Sequence, residues 1–490
     1  MRPPRELYAA ADVRALDRTA IEAHGIPGRE LMERAGAAAF EVLHSRWPRA
    51  TRVLVCCGLG NNAGDGYVVA RLAAAAGLAV EVLQVGDAAQ IAGDALACHD
   101  AMRAAGIATR ETLPGVRDGD VVVDALFGIG LARDVAGRFR EVVDWMNATG
   151  RPTLAIDIPS GLQADSGAVL GAAVRADVTI TFIGLKQGLF TGAAADHVGA
   201  LEFADLGVPA AVYDAVPPTG RLLDFAELVT RLGRRPRLAH KGDHGHVLVV
   251  GGAPGYSGAA RLAAEAAARV GAGLVSVAAH PEVAVGVSAL RPELMAHGVR
   301  DAAGLAPLLA RASVVAIGPG LGQSDWAREL LGKVLDSRLP LVVDADALNL
   351  LAMERARRDD WVLTPHPGEA ARLLATTTRA IQGDRFGAAR ALAATFGGSV
   401  ILKGAGSLVA REGAPVGVVT AGNPGMGSGG MGDVLTGIVA GLHAQGLARH
   451  AAAELGACLH AAAGDAAARA GGERGLLAGD VIAELRALVN

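Results

Sequence analysis

Aromatic side chains make up only 3% of the 490 residues, which argues against stacking platforms for bases and favours helices packed closely on sheets. Cysteine is as scarce. The four present include the adjacent pair Cys56 and Cys57 on an expected strand, with Cys98 and Cys458 in helical patterns. Neither a disulfide framework nor zinc spacing emerges, so reduced thiols and a cytoplasmic setting are expected. No apolar run is long enough to span a bilayer. The opening MRPPRELYAAADVRALDRTA lacks the unbroken apolar stretch of a secretory signal. Net charge is −4, so no global basic field recruits nucleic acid or an anionic membrane. What remains is a soluble protein with small-molecule partners, no nucleic acid and no membrane, and a homo-oligomer as its expected assembly.

What the chain has in abundance is glycine, 66 residues of it, together with much alanine. Its length exceeds one ordinary core, so two domains are expected. Residues 10–45 read as two helices, the second beginning near Pro27. RVLVCC then runs into the glycine stretch Gly58–Gly66 and a helix from Tyr67. Strand, glycine loop and helix form a nucleotide-binding arrangement, because loop amides and a helix start can face phosphate. VVVDALFGIGL ends a strand at Asp124 and a second glycine loop, and TLAIDIPSGL ends another at Asp157, Ser160 and Gly161. Three strand ends therefore carry polar loop residues, and in a parallel sheet such ends share one edge. Asn62, Asp124 and Ser160 could converge there as hard oxygen ligands for a cation; the plainer alternative is turn capping by the aspartates. Lys186, closing ADVTITFIGLK, is either a phosphate or proton partner or an exposed solubilising lysine.

Residues 209–240 break the alternation with Pro209, Pro217, Pro218 and the basic run RLGRRPRLAHK, which reads as a linker region. Strands and helices then resume. GPGLGQ follows one strand and PLVVDADALNLL another. Asp344 and Asp346 alternate along that strand, which would point them opposite ways. WVLTPHPGEAARLL carries His366, either a turn residue or a ligand-facing ring. Lys403-Gly-Ala-Gly-Ser407 does not match the P-loop order, yet two glycines and a hydroxyl suit phosphate as well as a bare hairpin turn. Last comes Asn423-Pro-Gly-Met-Gly-Ser-Gly-Gly-Met-Gly-Asp433, leading into an apolar helix. Five glycines and a helix start make an anion cradle, and Asp433 at its lip either caps the helix or handles a proton.

In the first half, the set Gly58–Gly66, Asp124–Gly130, Asp157–Gly161 and FIGLKQGL resembles the epimerase domain of the NAD(P)H-hydrate repair enzymes. In the second, HKGDHG, GPGLGQ, DADALNLL, TPHPGEAARLL, KGAGS and NPGMGSGGMGDVLTG resemble the dehydratase domain of the same family, which has the ribokinase-like fold. That resemblance implies an α/β chain of two domains. Residues 1–215 would be a Rossmann-like αβα epimerase, 216–240 a linker and 241–490 a ribokinase-like dehydratase. It implies that Asn61, Asn62, Ala63, Gly64, Asp65, Gly128, Ile129, Gly130, Leu131, Ala132, Arg133, Asp134 and Asp157 hold hydrated NADH or NADPH. Potassium would sit on Asn62, Asp124 and Ser160. In the second half, Ala259, Gly320, Gly322, His366 and Asp433 would contact the hydrate, while Lys403, Gly404, Ala405, Gly406, Ser407 and Gly432 hold the adenine nucleotide. One departure stands out. The family loop usually reads NNGGDG, and Ala63 replaces its third residue, which costs something if that position needs positive φ or close phosphate approach.

The implied chemistry assigns Asp433, Asp157 and Lys186 as catalytic. A magnesium ion and ADP as phosphoryl donor, with ATP possible, would serve the dehydratase. A ribokinase-type ATP-dependent kinase fused to a dinucleotide-binding domain uses Asp433 in the same way. A regulated binding protein that never turns nucleotide over is the non-enzymatic alternative.

Overall fold

The computed structural model describes residues 4–289 and 291–490. They fall into two compact units that divide between Arg221 and Leu222. Segment 216–240 is more ordered than its prolines suggest. It holds the strand Gly220–Leu222 and the helical turns Phe225–Leu228 and Val229–Leu232, the first capped by Asp224, whose carboxylate accepts from the Ala226 and Glu227 amides.

In the first unit, strands Thr109–Arg110, Ala79–Gln84, Arg52–Cys57, Asp120–Ala125, Thr153–Ile156, Val178–Phe182 and Ala200–Ala204 lie side by side in that order, all paired parallel. Counted along the sheet's own chain order, this is 3-2-1-4-5-6-7. Both sheet faces are covered, so the strands read as unbroken apolar runs. Val53, Val55 and Cys57 join one core, and Leu54 and Cys56 join the core on the opposite face. Helices Ala10–Glu22 and Gly28–Arg46 fall where the apolar spacing places them. The next helix starts earlier than expected, at Asn61 instead of Tyr67. The glycine stretch is therefore a three-residue turn, Gly58–Gly60, followed by helix.

The second unit repeats the scheme. Strands Met295–Gly298, Leu274–Ala279, His246–Val250, Val314–Ile317, Leu341–Val343, Trp361–Leu363 and Ser399–Leu402 run parallel, again in the order 3-2-1-4-5-6-7. Ser407–Arg411 and Val416–Val419 extend it antiparallel. Helix Met431–Ala444 packs on helix Ser257–Arg269. A Cβ at Gly437 would meet the Ala263 carbonyl oxygen at 2.0 Å, so the contact is backbone against backbone. Helices Arg449–Gly471 and Ala478–Leu488 close the chain.

Each sheet has one point where the strand order reverses, the place where parallel α/β sheets open a crevice. In the first unit it lies between Arg52–Cys57 and Asp120–Ala125, in the second between His246–Val250 and Val314–Ile317.

Candidate functional site

At the first switch point a cavity of about 750 Å³ is lined by Asn61, Asn62, Asp65, the run Gly128–Arg133, Asp157 and Lys186. Three expected ligand residues are not in its wall. Ala63 is fully buried in the core behind the turn. A Cβ on Gly64 would strike the Met32 sulfur at 2.2 Å, so Gly64 is a helix-packing glycine. Asp134 is exposed. The helix explains the first two: its first turn sends Asn61, Asn62 and Asp65 to the cavity and the residues between them to the core. Ala63 is helical and is not among the residues with positive φ.

Lys186 is 1% exposed, which removes the solubilising alternative. Its ammonium donates to the Asp157 carboxylate, to Thr181 Oγ1 at 2.9 Å and to the Phe182 carbonyl at 3.1 Å. Asp157 itself has φ +68°, a left-handed conformation that costs an aspartate energy and that clusters at functional sites.

Asp124 and Ser160 lie beneath the cavity wall, fully buried. Ser160 donates its hydroxyl to Asp124 Oδ1 at 2.6 Å and its amide to Asp124 Oδ2 at 2.7 Å. The amide of Phe127 reaches Ser160 Oγ at 2.9 Å, and Asn62 Nδ2 donates to the Phe127 carbonyl at 3.0 Å. Asn62, Asp124 and Ser160 thus meet around one backbone segment. Burial raises the Asp124 pKa to about 6, because no cationic side chain neutralises it. One buried carboxylate among neutral oxygens is a donor set that suits a single hard monovalent cation.

In the second unit, Asp344 is not on a strand. The strand ends at Val343, and Asp344 is the residue before helix Ala345–Leu351, so the alternation argument fails. Ala345, at φ +48°, makes the sharp turn. Asp344 accepts from Lys403 Nζ at 2.7 Å and from Thr436 Oγ1 at 2.8 Å. Asp346, on the helix, accepts from the Gly322 amide at 2.9 Å. Lys403 passes beneath Gly432, where a Cβ would lie 3.0 Å from its ammonium. Burial opposes its charge, but Asp344 and Glu369 more than offset this and its pKa is raised. Lys403–Gly406 is the turn of an antiparallel hairpin, closed by Ser407 Oγ, which donates to the Gly404 carbonyl at 2.9 Å.

His366 fills the turn role that the sequence offered as one alternative. Nδ1 caps helix Pro367–Leu373, accepting from the Gly368 amide at 2.9 Å, while its side chain stays half exposed. Gly320, at φ +58°, adjoins Ala259, whose Cβ a side chain there would meet at 3.2 Å.

Asp433 does not cap its helix. Gly430, at φ +89°, occupies that position, and no side chain caps the helix. Asp433 stands in the first turn with no hydrogen-bond partner among the described residues. Burial, reinforced by Asp344, raises its pKa to about 7, where a carboxylate can take and return protons. The glycine loop is anchored at its start. Asp465 accepts from the Gly422 amide at 3.0 Å and from Asn423 Nδ2 at 2.9 Å.

Sequence reasoning missed Thr436 and Asp17. Thr436 sits unannounced within an apolar helix. Asp17 lines the first cavity from a helical face whose other members, Val13, Leu16 and Ala20, are buried. That single carboxylate on an apolar face was its signal.

Two parallel α/β units, each with a largely buried lysine–carboxylate pair beside its switch point, define a two-site enzyme of the nucleotide-handling α/β class. Comparison with known proteins makes this specific. Residues 28–188 match the family model described as YjeF-related protein N-terminus, and residues 247–486 match that of NAD(P)H-hydrate dehydratase. The chain is 50% identical to the bifunctional NAD(P)H-hydrate repair enzyme of Coxiella burnetii, over 99% of both chains. Against that of Escherichia coli it is 44% identical, over 99% of this chain and 94% of the other. A ribokinase-like superfamily protein from Enterococcus faecalis is 27% identical with TM-score 0.52, covering 55% of this chain and 95% of its own. The chain belongs to the bifunctional NAD(P)H-hydrate repair enzymes. Its first half is the Rossmann-like epimerase type and its second the ribokinase-like dehydratase type.

Proposed function

We propose that the first half interconverts the R and S hydrates of NADH and NADPH, and that the second dehydrates the S form at the expense of ADP, leaving AMP and phosphate. A dinucleotide hydrated across a ring double bond cannot donate hydride, and hydroxide leaves poorly. Transfer of the terminal phosphoryl group to that hydroxyl, followed by loss of phosphate, restores the double bond. The observation that carries this reading is Asp433, a half-buried carboxylate without a hydrogen-bond partner among the described residues, standing behind five glycines at a helix start. It would take the hydroxyl proton while loop amides stabilise charge on the moving group. Lys403–Ser407 and Gly432 would hold the nucleotide, and Ala259, Gly320, Gly322 and His366 the hydrate. Among the described residues no three carboxylate, histidine or cysteine side chains form a metal cluster. A magnesium ion would arrive on the nucleotide phosphates and keep several waters.

In the first half, Asn61, Asn62, Asp65, the Gly128–Arg133 run and Asp157 would hold the hydrate, with Asp157 as base and Lys186 its partner. Potassium, held by Asn62, Asp124 and Ser160, would keep Asp124 ionised and the Phe127 segment in place.

Incubation with mixed hydrates of NADH and ADP tests the whole. Full recovery of NADH absorbance is expected, with both epimers consumed. A stable phosphorylated product would instead establish a small-molecule kinase. Consumption of the S form alone would remove the first activity. Replacing ADP by ATP in the same assay decides the donor.

A further inference from the structure

We propose that Asp17 is a second acid–base residue of the first cavity, giving the proton that lets the hydrate hydroxyl leave while Asp157 takes one from the water that returns. The proposal rests on the epimerase reading and adds a residue to it. Asp17 lies inside helix Ala10–Glu22, where aspartate is a poor helix former, and it lines the cavity with Asp157 and Lys186. It caps no helix end. Among the described residues its carboxylate has neither a hydrogen-bond partner nor an ion pair, although Arg14 is less than one turn away. A half-buried carboxylate without a structural partner is costly, so its position in the cavity wall calls for a chemical reason.

The substrate supplies one. Hydration puts the hydroxyl on the ring carbon bonded to nitrogen. To invert that carbon, the C–O bond breaks as the nitrogen lone pair forms a C=N bond, and the oxygen departs as water with a proton from a carboxylic acid. Water then adds to the other face. The C=N pair returns to nitrogen, and a carboxylate accepts the surplus proton. One proton is given and one taken, and solvent exchange restores both groups. No oxidant, reductant or second substrate is needed. The two groups must differ in environment, and they do. Lys186 is hydrogen-bonded to Asp157 and not to Asp17. Burial raises Asp17 to about 6, against the lowering effect of the nearby Lys186 charge and with a smaller upward push from Asp157, high enough for the acid form to be present near neutrality.

The test uses the full chain with Asp17→Asn and Asp17→Ala, following interconversion of separated hydrates and uptake of ¹⁸O from labelled water at the inverted carbon. General acid catalysis contributes roughly 10²–10⁴-fold. A kcat lower by about that factor is therefore expected, with KM little changed and ¹⁸O uptake falling in parallel. Added formate or acetate should restore part of the rate in Asp17→Ala. Dehydration of the S hydrate, measured alongside, should match wild type, and an unchanged calorimetric Tm for the first unit, which carries Asp17, shows that this unit is folded. Wild-type interconversion rates in both variants would overturn the proposal. So would a loss that appears as a raised KM and a lowered Tm without rescue by formate, since that describes a structural residue. Failure of wild type to interconvert the hydrates would overturn the epimerase reading itself, and this proposal with it.

Discussion

The two halves share a strand order, and each brings its turn equally close at the order reversal. A Cβ on Gly58 would meet the Leu126 carbonyl oxygen at 2.1 Å, and one on Gly251 would meet that of Pro319 at 2.1 Å. Each also buries one lysine against an aspartate. They differ in which aspartate the lysine holds. Lys186 binds Asp157, a residue in the cavity wall. Lys403 binds Asp344, which is 1% exposed, and leaves Asp433 unpaired. In the first half the lysine is hydrogen-bonded to the proposed catalytic carboxylate and orients it. A lysine bonded to a carboxylate nearby leaves the working one with a raised pKa. The same scaffold thus offers two arrangements of lysine and carboxylate, which differ in where a single ammonium points.

The comparison breaks most sharply at the two aspartates. Asp433→Asn should lower dehydration by roughly 10³-fold or more, the upper range of acid–base catalysis, with interconversion of the hydrates unchanged. Asp157→Asn should do the reverse, and the S hydrate supplied alone should still be repaired. Parallel assays of the two activities on one preparation check both. If either substitution removed both activities from a folded chain, the halves would not be independent sites.

Removing the lysines sharpens the contrast. Lys403→Met leaves Asp344 buried and uncompensated, and breaking such a pair costs about 3–5 kcal/mol. The second half should unfold at lower temperature while interconversion persists at moderate temperature. Lys186→Met strands a carboxylate that lines the cavity and is only partly buried. Its stability loss should be the smaller of the two and its loss of interconversion the larger. Calorimetry read beside both assays separates these outcomes.

The pH dependence of dehydration follows from Asp433. As the proposed base Asp433 would work ionised, and burial raises its pKa to about 7. Activity should therefore fall about tenfold per pH unit below that value and level off above it. A rate flat from pH 8 to pH 5.5 would remove Asp433 from the role of base.

Much of this was legible in the sequence. Parallel strands covered on both faces show as apolar runs, and glycine clusters mark their ends, so both folds and their crevices could be placed. What escaped depends on local backbone direction. Asp344 was read as a strand residue because nothing in PLVVDADALNLL announces the turn that Ala345 makes at φ +48°. Asp134 is exposed outside the wall, beside Val135, which is buried with its amide bonded to the Leu170 carbonyl at 3.0 Å. Asp17 was missed because helix periodicity directs attention to apolar positions, and the informative residue was the exception among them.

The smallest predicted effect concerns Ala63, where the chain departs from its family's usual glycine. Alanine there would matter if the position needed positive φ or lay against phosphate. It does neither. Ala63 is in the first turn of helix Asn61–Ala75, with its methyl group fully buried in the core. Ala63→Gly should therefore leave the KM for the hydrates unchanged. Stability should fall by about 1 kcal/mol from helix propensity, with a little more from the vacated methyl site. A denaturant titration resolves that loss. A lower KM in the variant would mean that the methyl group does hinder the ligand, and that the helix start moves when substrate binds.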